Sequence, residues 1–413
     1  MSNTPVEQYE AARQLADAGQ VAPAHQQLSS VLDHADGLDD RVRAQALLFC
    51  GSCSLAGYEN ERAETELRNA QTAFAKLGDD EAALYADLLT LRTLIDMREI
   101  GRVRNRLTEL LPVITANGWT SAEALARSLL GLVHFHTRQH AQARAEIERS
   151  LALDNKYRLS WEQPTLEITL AGCLAGLGEP AAANELYEHS LAAVASVPAP
   201  RVTVLRLINT AYRAVLNRDY ESARDSFAAM VEVASLPGTP SAYLEYYRAS
   251  GLHNLGLIEL ELGNYGVAKR HLLRAWDKLY ELNYEQLSCS CLTALSIIAV
   301  LDGDPASAVH YAQASQRAVT VYGEIESLVV VYFLAIALLA DHQPSEARQS
   351  WSTKPELESN TEIFQLIGWM QRELDFIIEP PADSSADYAA EVQALARQWH
   401  DELAGLLAAR FET

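Results

Sequence analysis

The chain has 413 residues, of which 49% are apolar and 21% are charged, and these proportions are ordinary for a folded soluble protein. Single globular domains rarely exceed about 250–300 residues, so the length predicts either several domains or an array of repeats. The formal net charge of −22 argues against a general binder of nucleic-acid backbones, which needs a clustered positive surface. It favours a partner that is neutral, basic or hydrophobic.

The amino-terminal residues do not combine a basic region with an apolar run, so the sequence predicts no signal peptide. The most apolar stretch, residues 327–340, is too short to cross a bilayer. We therefore expect a cytoplasmic protein that makes no membrane contact.

Cys50 and Cys53 have the spacing of a redox pair, but they lie in a helical pattern. We expect all five cysteines to be reduced, buried and packed as small apolar residues.

From the amino terminus onward, apolar residues recur at helical spacing in nine consecutive segments, each divided by a short turn. The segments span about residues 5–36, 43–77, 81–117, 121–155, 161–197, 201–236, 249–283, 284–321 and 324–355. The third segment is degenerate, and the other eight each carry a marker alanine in their second half: Ala24, Ala63, Ala143, Ala183, Ala223, Ala268, Ala308 and Ala347. Successive markers lie 39, 80 (two segments), 40, 40, 45, 40 and 39 residues apart, which gives a period near 40.

The seventh segment carries the pattern most clearly. Its key residues are Leu252, Leu255, Gly256, Gly263, Asn264, Tyr265, Ala268, Leu272 and Ala275. These residues resemble one tetratricopeptide repeat, and the nine segments resemble an array of such repeats. The resemblance implies an all-α, right-handed superhelix of about nine helix pairs, in which each pair contacts only its neighbours. The 40-residue period also resembles the sensor segments of maltose-regulator-type bacterial transcription activators, whose ATPase and DNA-binding modules have no counterpart in this sequence.

After the ninth segment the repeat pattern weakens. We predict one helix over residues 362–378, a proline-rich linker near 379–385 and a last helix over 386–411. A repeat array must hide the apolar face of its terminal repeat, so we interpret these helices as a cap. The alternative is a tail that docks a partner. The predicted division is therefore a repeat array over 1–355 and capping helices over 356–413.

The resemblance also implies a concave groove, lined by the first helix of each pair, in which related proteins hold extended peptides or helices. The sixth and seventh segments carry Asn209 and Asn254 at matching groove positions, two residues before the small residue of the first helix. A side-chain amide both donates and accepts hydrogen bonds, so such asparagines can hold the backbone of a bound peptide. The other predicted groove and rim residues are His136, Tyr212, Tyr247, Arg248, His253 and Glu261. The alternative is that the asparagines are ordinary polar residues that face solvent.

Two clusters of polar residues resemble binding sites, but each has a simpler structural explanation. His136 and His140 are four residues apart, but a turn is expected near Arg138, and no carboxylate completes a metal-ligand set. We therefore expect no metal. Arginines also crowd the turn of the third segment: Arg98, Arg102, Arg104 and Arg106. They can bind a carboxylate or a phosphate, but we interpret them as a solvated helix edge balanced by neighbouring acidic residues.

The sequence contains no motif typical of an enzyme. A phosphate-binding loop, a Gly-x-Ser-x-Gly elbow and a His-Glu-x-x-His helix are all absent, and no strand precedes a glycine-rich loop. We expect a non-enzymatic scaffold or adaptor, without a cofactor, that binds a peptide or a partner's helix in the groove of segments four to seven. The alternative is a sensor whose groove binds a small molecule or a signalling peptide and changes the curvature of the superhelix. Self-association through the terminal helices is a further expectation.

Overall fold

The computed structural model describes residues 4–33, 38–97, 99–137, 139–235, 242–318 and 324–353. Within these residues the chain forms eighteen α-helices and no strand, which confirms the predicted all-α solenoid. The helices are α1 (Pro5–Asp17), α2 (Val21–Asp33), α3 (Asp40–Ala56), α4 (Asn60–Lys76), α5 (Asp80–Asp96), α6 (Ile100–Ala116), α7 (Thr120–His136), α8 (His140–Ala152), α9 (Glu162–Gly176), α10 (Pro180–Ala193), α11 (Pro200–Leu216), α12 (Tyr220–Val233), α13 (Ala242–Glu261), α14 (Tyr265–Glu281), α15 (Glu285–Leu301), α16 (Pro305–Ala318), α17 (Glu324–Ala340) and α18 (Pro344–Ser352).

The eighteen helices form nine consecutive pairs, and three residues separate the two helices of each pair. The middle residue of the turn adopts a positive φ wherever that residue is described, and it is often glycine, as at Gly263 with φ 76°. The backbone N–H of Gly263 bonds to the carbonyl of Leu260, and the next N–H bonds to the carbonyl of Glu259. This left-handed cap satisfies the last carbonyls of the first helix and reverses the chain.

Small residues set the distance between the two helices of a pair. A Cβ atom added at Gly256 of α13 would lie only 2.5 Å from Cγ of Leu272 in α14. Two other pairs repeat the contact at the same sixteen-residue spacing, Gly51 with Leu67 and Gly131 with Ile147, where the added Cβ would lie 2.6 Å from the partner side chain. Gly256 therefore leaves the space that lets α13 and α14 pack closely.

The chain divides into two compact units. Among the described residues, unit 1 comprises those up to Asn217 and those from Val233 to Leu244, and unit 2 comprises Arg218–Glu232 and those from Glu245 to Thr353. The predicted cap over 356–413 lies outside the described residues. No helix within the described part of the chain is both long and apolar enough to cross a membrane.

In unit 1, the connection between α8 and α9 departs from the regular repeat. It consists of residues 153–161, which we call the crossing segment, and it is not helical. Helix α8 has 13 residues, whereas α4 and α6 have 17. The shorter helix and the longer connection offset each other, so the period near 40 residues continues through this irregularity.

Unit 1 also contains contacts between pairs that are distant in sequence. The guanidinium of Arg201, in the first turn of α11, forms two hydrogen bonds to the carboxylate of Asp96 in α5, at 2.9 and 2.5 Å. Its Nε donates to the carbonyl oxygen of Leu55 in α3 at 2.9 Å, and the guanidinium lies 4.3 Å above the ring centre of Tyr58. The expectation that each pair contacts only its neighbours is therefore wrong for unit 1.

Candidate functional site

The predicted groove residues lie in both units, so each unit is described separately. In unit 2 they belong to α13. His253 is 0% exposed and Asn254 is 4% exposed. The Nε2 atom of His253 lies 2.8 Å from the hydroxyl oxygen of Ser290 in α15, and the side chain of Asn254 bonds to the same imidazole. His253 and Asn254 are buried and Ser290 is half-buried, so this polar cluster is largely closed to solvent.

Burial sets the protonation state of this cluster. Desolvation lowers the pKa of His253 to about 4, although the hydrogen bond to Asn254 acts in the opposite direction. A buried imidazole loses more hydration free energy when it is charged than when it is neutral. His253 is therefore neutral near pH 7, and its two nitrogens act as one donor and one acceptor.

The other predicted residues of α13 are half-buried. Arg248 forms an ion pair with Glu245 at 2.7 Å, and Nζ of Lys278 lies 3.6 Å from the same carboxylate. Tyr247 has its ring centre 5.4 Å from that of Tyr246. Glu261 is half-buried at the end of the helix. The amino-terminal half of α13 therefore combines aromatic rings with charged groups.

In unit 1 the predicted residues are also half-buried. Asn209 and Tyr212 lie one turn apart on α11, and His136 is the last residue of α7. Nδ2 of Asn209 donates to the carbonyl oxygen of Leu205 in its own helix at 2.8 Å. This bond uses one of the two N–H donors of the amide.

The histidines considered for a metal do not form a ligand set. Helix α7 ends at His136 and α8 begins at His140, so the expected turn separates them. His140 is buried, and its ring packs so closely on Gly176 that an added Cβ would lie 2.7 Å away. Within the described part of the chain, no group of three or more His, Cys, Asp or Glu side chains is arranged to hold a metal ion.

The cysteines are all buried free thiols, which confirms their predicted role as small core residues. Burial raises the pKa of Cys50 to about 12 and that of Cys53 further still, so neither thiol ionises readily. Two of the arginines of α6 form ion pairs with acidic residues. Arg102 pairs with Glu99, and Arg106 lies 3.3 Å from Asp87. Arg98 lies outside the described residues.

A cavity of about 970 Å³ in unit 1 was not predicted from the sequence. Helix α2, the turn between α3 and α4, and the start of α11 line this cavity. His25 in its wall has Nε2 2.6 Å from Glu66, and Nη2 of Arg62 lies 3.1 Å from the other imidazole nitrogen. Burial alone raises the pKa of Glu66, but hydrogen bonds from His25 and Ser54 bring it below its ordinary value. These groups belong to three helices, and the sequence does not show that they meet.

The nine helix pairs, the left-handed turns and the close glycine contacts of three pairs form a tetratricopeptide-like helical-repeat fold. Among solved structures, the fold is similar to a Rap protein in complex with competence and sporulation factor. That protein is 16% identical, and the alignment covers 90% of this chain and 95% of that chain with a TM-score of 0.55. The fold is also similar to NprR in complex with its cognate peptide NprX, at 16% identity, 86% and 98% coverage and a TM-score of 0.53.

At these identities the likeness shows a shared fold. No protein-family model matches the sequence, and a search of curated proteins finds no match. The predicted resemblance to sensor segments of maltose-regulator-type activators stays a prediction.

Proposed function

We propose that the protein is a non-enzymatic, cytoplasmic regulatory scaffold that binds a peptide or a partner's helix on the first helices of its repeats. The observation that supports this proposal is the fold likeness to NprR in complex with its cognate peptide, which extends over 86% of this chain. Because one fold hosts many functions, the side chains of the first helices must supply the specificity.

Each unit, taken by itself, carries half-buried residues that suit a peptide ligand. In unit 1, Tyr212 offers a large, rigid contact area, Asn209 carries an amide that can meet the N–H and C=O groups of a peptide backbone, and His136 on α7 is a further polar residue proposed to contact the peptide. In unit 2, Tyr247 offers a similar contact area, and arginines such as Arg248 often contribute strongly to binding. With a net charge of −22, the protein favours a neutral or basic peptide over an acidic one.

The burial of Asn254 favours a sensor over a rigid scaffold. A peptide backbone can reach an amide that is 4% exposed only if the contacts around α13 rearrange. We propose that engagement of Asn254 requires such a rearrangement, so that binding selects a different conformation of the protein. Solution scattering with and without a bound peptide measures this change. An unchanged scattering curve under saturation would contradict the sensor and leave the scaffold.

The experiment that tests binding is selection from a library of random ten-residue peptides on the purified full-length protein. Affinities of selected peptides are then measured by fluorescence anisotropy for the wild type, Asn209→Ala and the exposed control Asn105→Ala. Loss of a hydrogen bond to a bound peptide costs about 1–3 kcal/mol when its partner group remains buried, which is roughly 5- to 150-fold in affinity. We expect such a loss for Asn209→Ala and none for Asn105→Ala.

A library that yields no binder would refute peptide binding, and equal affinities for the two variants would remove Asn209 from the site.

The free energy of unfolding must be measured for each variant as well, because Asn209 and Asn254 differ in burial. Asn209→Ala should change the free energy of unfolding by no more than about 0.5 kcal/mol, as for other replacements outside the core. Asn254→Ala should cost about 1–3 kcal/mol, because the buried His253 loses a hydrogen-bond partner.

A further inference from the structure

The cavity in unit 1 follows one face of α2. His25, Ser29 and Asp33 all line it, and each lies about one helical turn after the residue before it. The lining extends from Val21 to Asp33, so the cavity is about 18 Å long when measured along the helix axis. Its volume of about 970 Å³ falls within the usual range of ligand-binding pockets. The shape of the cavity therefore suits an extended small molecule.

A hydrogen-bond network around Arg62 forms the wall opposite His25. Nη1 of Arg62 donates to the carboxylate of Glu59 at 3.0 Å, and Nε donates to that of Glu66 at 3.1 Å. Nη2 lies 3.1 Å from Nδ1 of His25, and because a guanidinium has no acceptor, Nδ1 must accept this bond. The proton of the imidazole is therefore on Nε2, which donates to Glu66 at 2.6 Å, and His25 is uncharged.

The charges of this network do not balance. Arg62 carries one positive charge and is shared by two carboxylates, those of Glu59 and Glu66. The hydroxyl of Ser54 donates to Glu66 at 2.7 Å, so this hydroxyl can offer a ligand only its lone pairs. The end of α3 and the start of α2 also line the cavity, but the opposite poles of these two helix ends offset each other. This part of the cavity therefore has an excess of negative charge and of acceptors.

A further carboxylate lines the cavity at the other end of α2. Asp33 is the last residue of the helix, and it is exposed. It lies eight residues after His25, which corresponds to about 12 Å along the helix axis. The serines at positions 29 and 30 line the wall between these two residues. The cavity therefore presents two separate negative positions with hydroxyl groups between them.

We propose that this cavity binds a linear polyamine, with one ammonium group beside Glu59 and another beside Asp33. Each ammonium group brings positive charge and N–H donors to a wall that is rich in carboxylates and acceptors. The flexible methylene chain joins the two positions along α2. The site lies on α2 and α4, which are second helices of their pairs, so it is separate from the peptide-binding residues proposed on first helices.

The test measures the binding of spermidine to the full-length protein by isothermal titration calorimetry. A chain with a net charge of −22 attracts any polycation, so the buffer contains about 0.15 M salt, which screens exposed charges beyond about 8 Å. Asp33→Asn removes one negative charge from the cavity and leaves the Arg62 network intact. The control Glu188→Gln removes one negative charge from an exposed position on α10 that does not line the cavity.

We expect spermidine to saturate a single site on the wild type and Asp33→Asn to weaken binding roughly tenfold, because a charged hydrogen bond is lost. Glu188→Gln should change the affinity by less than about twofold, as for a screened surface charge. Equal losses for the two variants would show a general attraction of the polycation to the acidic protein, and no binding to the wild type would leave the cavity without this ligand. Either result would overturn the proposal.

A steric variant and an anionic probe complete the test. Gln26 is exposed and lines the cavity, so Gln26→Trp should fill the space and abolish spermidine binding without changing the helical content. Suberate has a chain similar in length to spermidine but carries a carboxylate at each end, and we expect no binding of it. Unchanged spermidine binding to a folded Gln26→Trp variant, or tighter binding of suberate than of spermidine to the wild type, would overturn the proposal.

Discussion

The first helices of the two units are built from the same repeat but meet different surroundings. In unit 1, α1 and α5 contact the crossing segment, and α5 also contacts α11 through Asp96 and Arg201. In unit 2, α13 makes its described contacts with sequence neighbours, His253 with α15 and Gly256 with α14. Unit 1 therefore has two kinds of contact between distant pairs, those of the crossing segment with α1 and α5 and those of Arg201 with α3 and α5.

The largest expected difference between the two units is in the free energy of unfolding that an ion pair contributes, because the pair in unit 1 is buried. Arg201→Ala removes both hydrogen bonds that the Arg201 guanidinium donates to Asp96, whose side chain is 1% exposed, and leaves this carboxylate with Arg92, whose Nε lies 4.0 Å away. Removing one partner of a buried ion pair costs about 3–5 kcal/mol. The matched control in unit 2 is Arg248→Ala, whose ion pair is accessible to solvent and should contribute only about 0–1 kcal/mol.

Hydrogen exchange of the two variants measures both effects and localises them. We expect Arg201→Ala to raise exchange across α5 and α11 and Arg248→Ala to leave α14 nearly unchanged. Similar small effects for both variants would show that the long-range contact does not stabilise unit 1. Replacing both partners, Arg201→Met with Asp96→Leu, should recover much of the lost stability, because the buried carboxylate is removed and Arg92, which loses its partner, is 32% exposed to solvent.

The next expected effect is common to both units, because helix packing within a pair follows the same rule in each. Gly256→Ala in unit 2 and Gly51→Ala in unit 1 each force a Cβ against a leucine, which should cost about 1–3 kcal/mol. Gly266→Ala in α14 is the control, since the nearest side-chain atom lies 4.0 Å from the added Cβ. It should stabilise the helix by up to about 1 kcal/mol. Thermal unfolding followed by circular dichroism compares the three variants, and a neutral Gly256→Ala would contradict the packing described.

The smallest expected effect is the pH dependence that Glu162 gives to the stability of unit 1. Burial raises the pKa of Glu162 to about 7, while the N–H of Leu159 and the nearby Arg158 and Arg92 act to lower it and Asp17 acts to raise it. Because the folded-state pKa lies above the ordinary value, this group favours folding fully below about pH 4.5, and that contribution is lost as pH rises towards 7.

Glu162→Gln keeps an acceptor for the N–H of Leu159 but cannot ionise. We expect the variant to match the wild type in melting temperature at pH 4 and to exceed it at pH 8. A difference that does not change with pH would show that Glu162 does not titrate in this range.

The sequence predicted the regular part of the fold because that part repeats. The marker alanines and Gly256 identify the helix pairs, since their small size is a local requirement of packing. The crossing segment was missed because α8 is shorter by nearly the length that the connection gained, which leaves the distance from Ala143 to Ala183 at 40 residues. Trp161 was assigned to the start of a helix pair, and nothing in the sequence shows that it contacts α1.

The site was predicted less completely than the fold. Asn209 and Asn254 occupy the same position in their repeats, so the sequence identifies them as equivalent. How deeply each side chain is buried depends on the surrounding residues, which the repeat position does not specify. One amide is half-buried and bonded within its own helix, and the other is buried beside His253. The pairing of Arg201 with Asp96 joins residues 105 positions apart and has no local signal.

The most direct test of the proposed function is to locate a bound peptide. A peptide selected from the library is given a photoreactive group and cross-linked to the wild-type protein, and the attachment sites are mapped by mass spectrometry. Our account predicts cross-links to residues of α7, α11 or α13, with few to α1 and α5, whose surface the crossing segment occupies. Cross-links concentrated on the second helices of the pairs, or in the cavity beside His25, would contradict it.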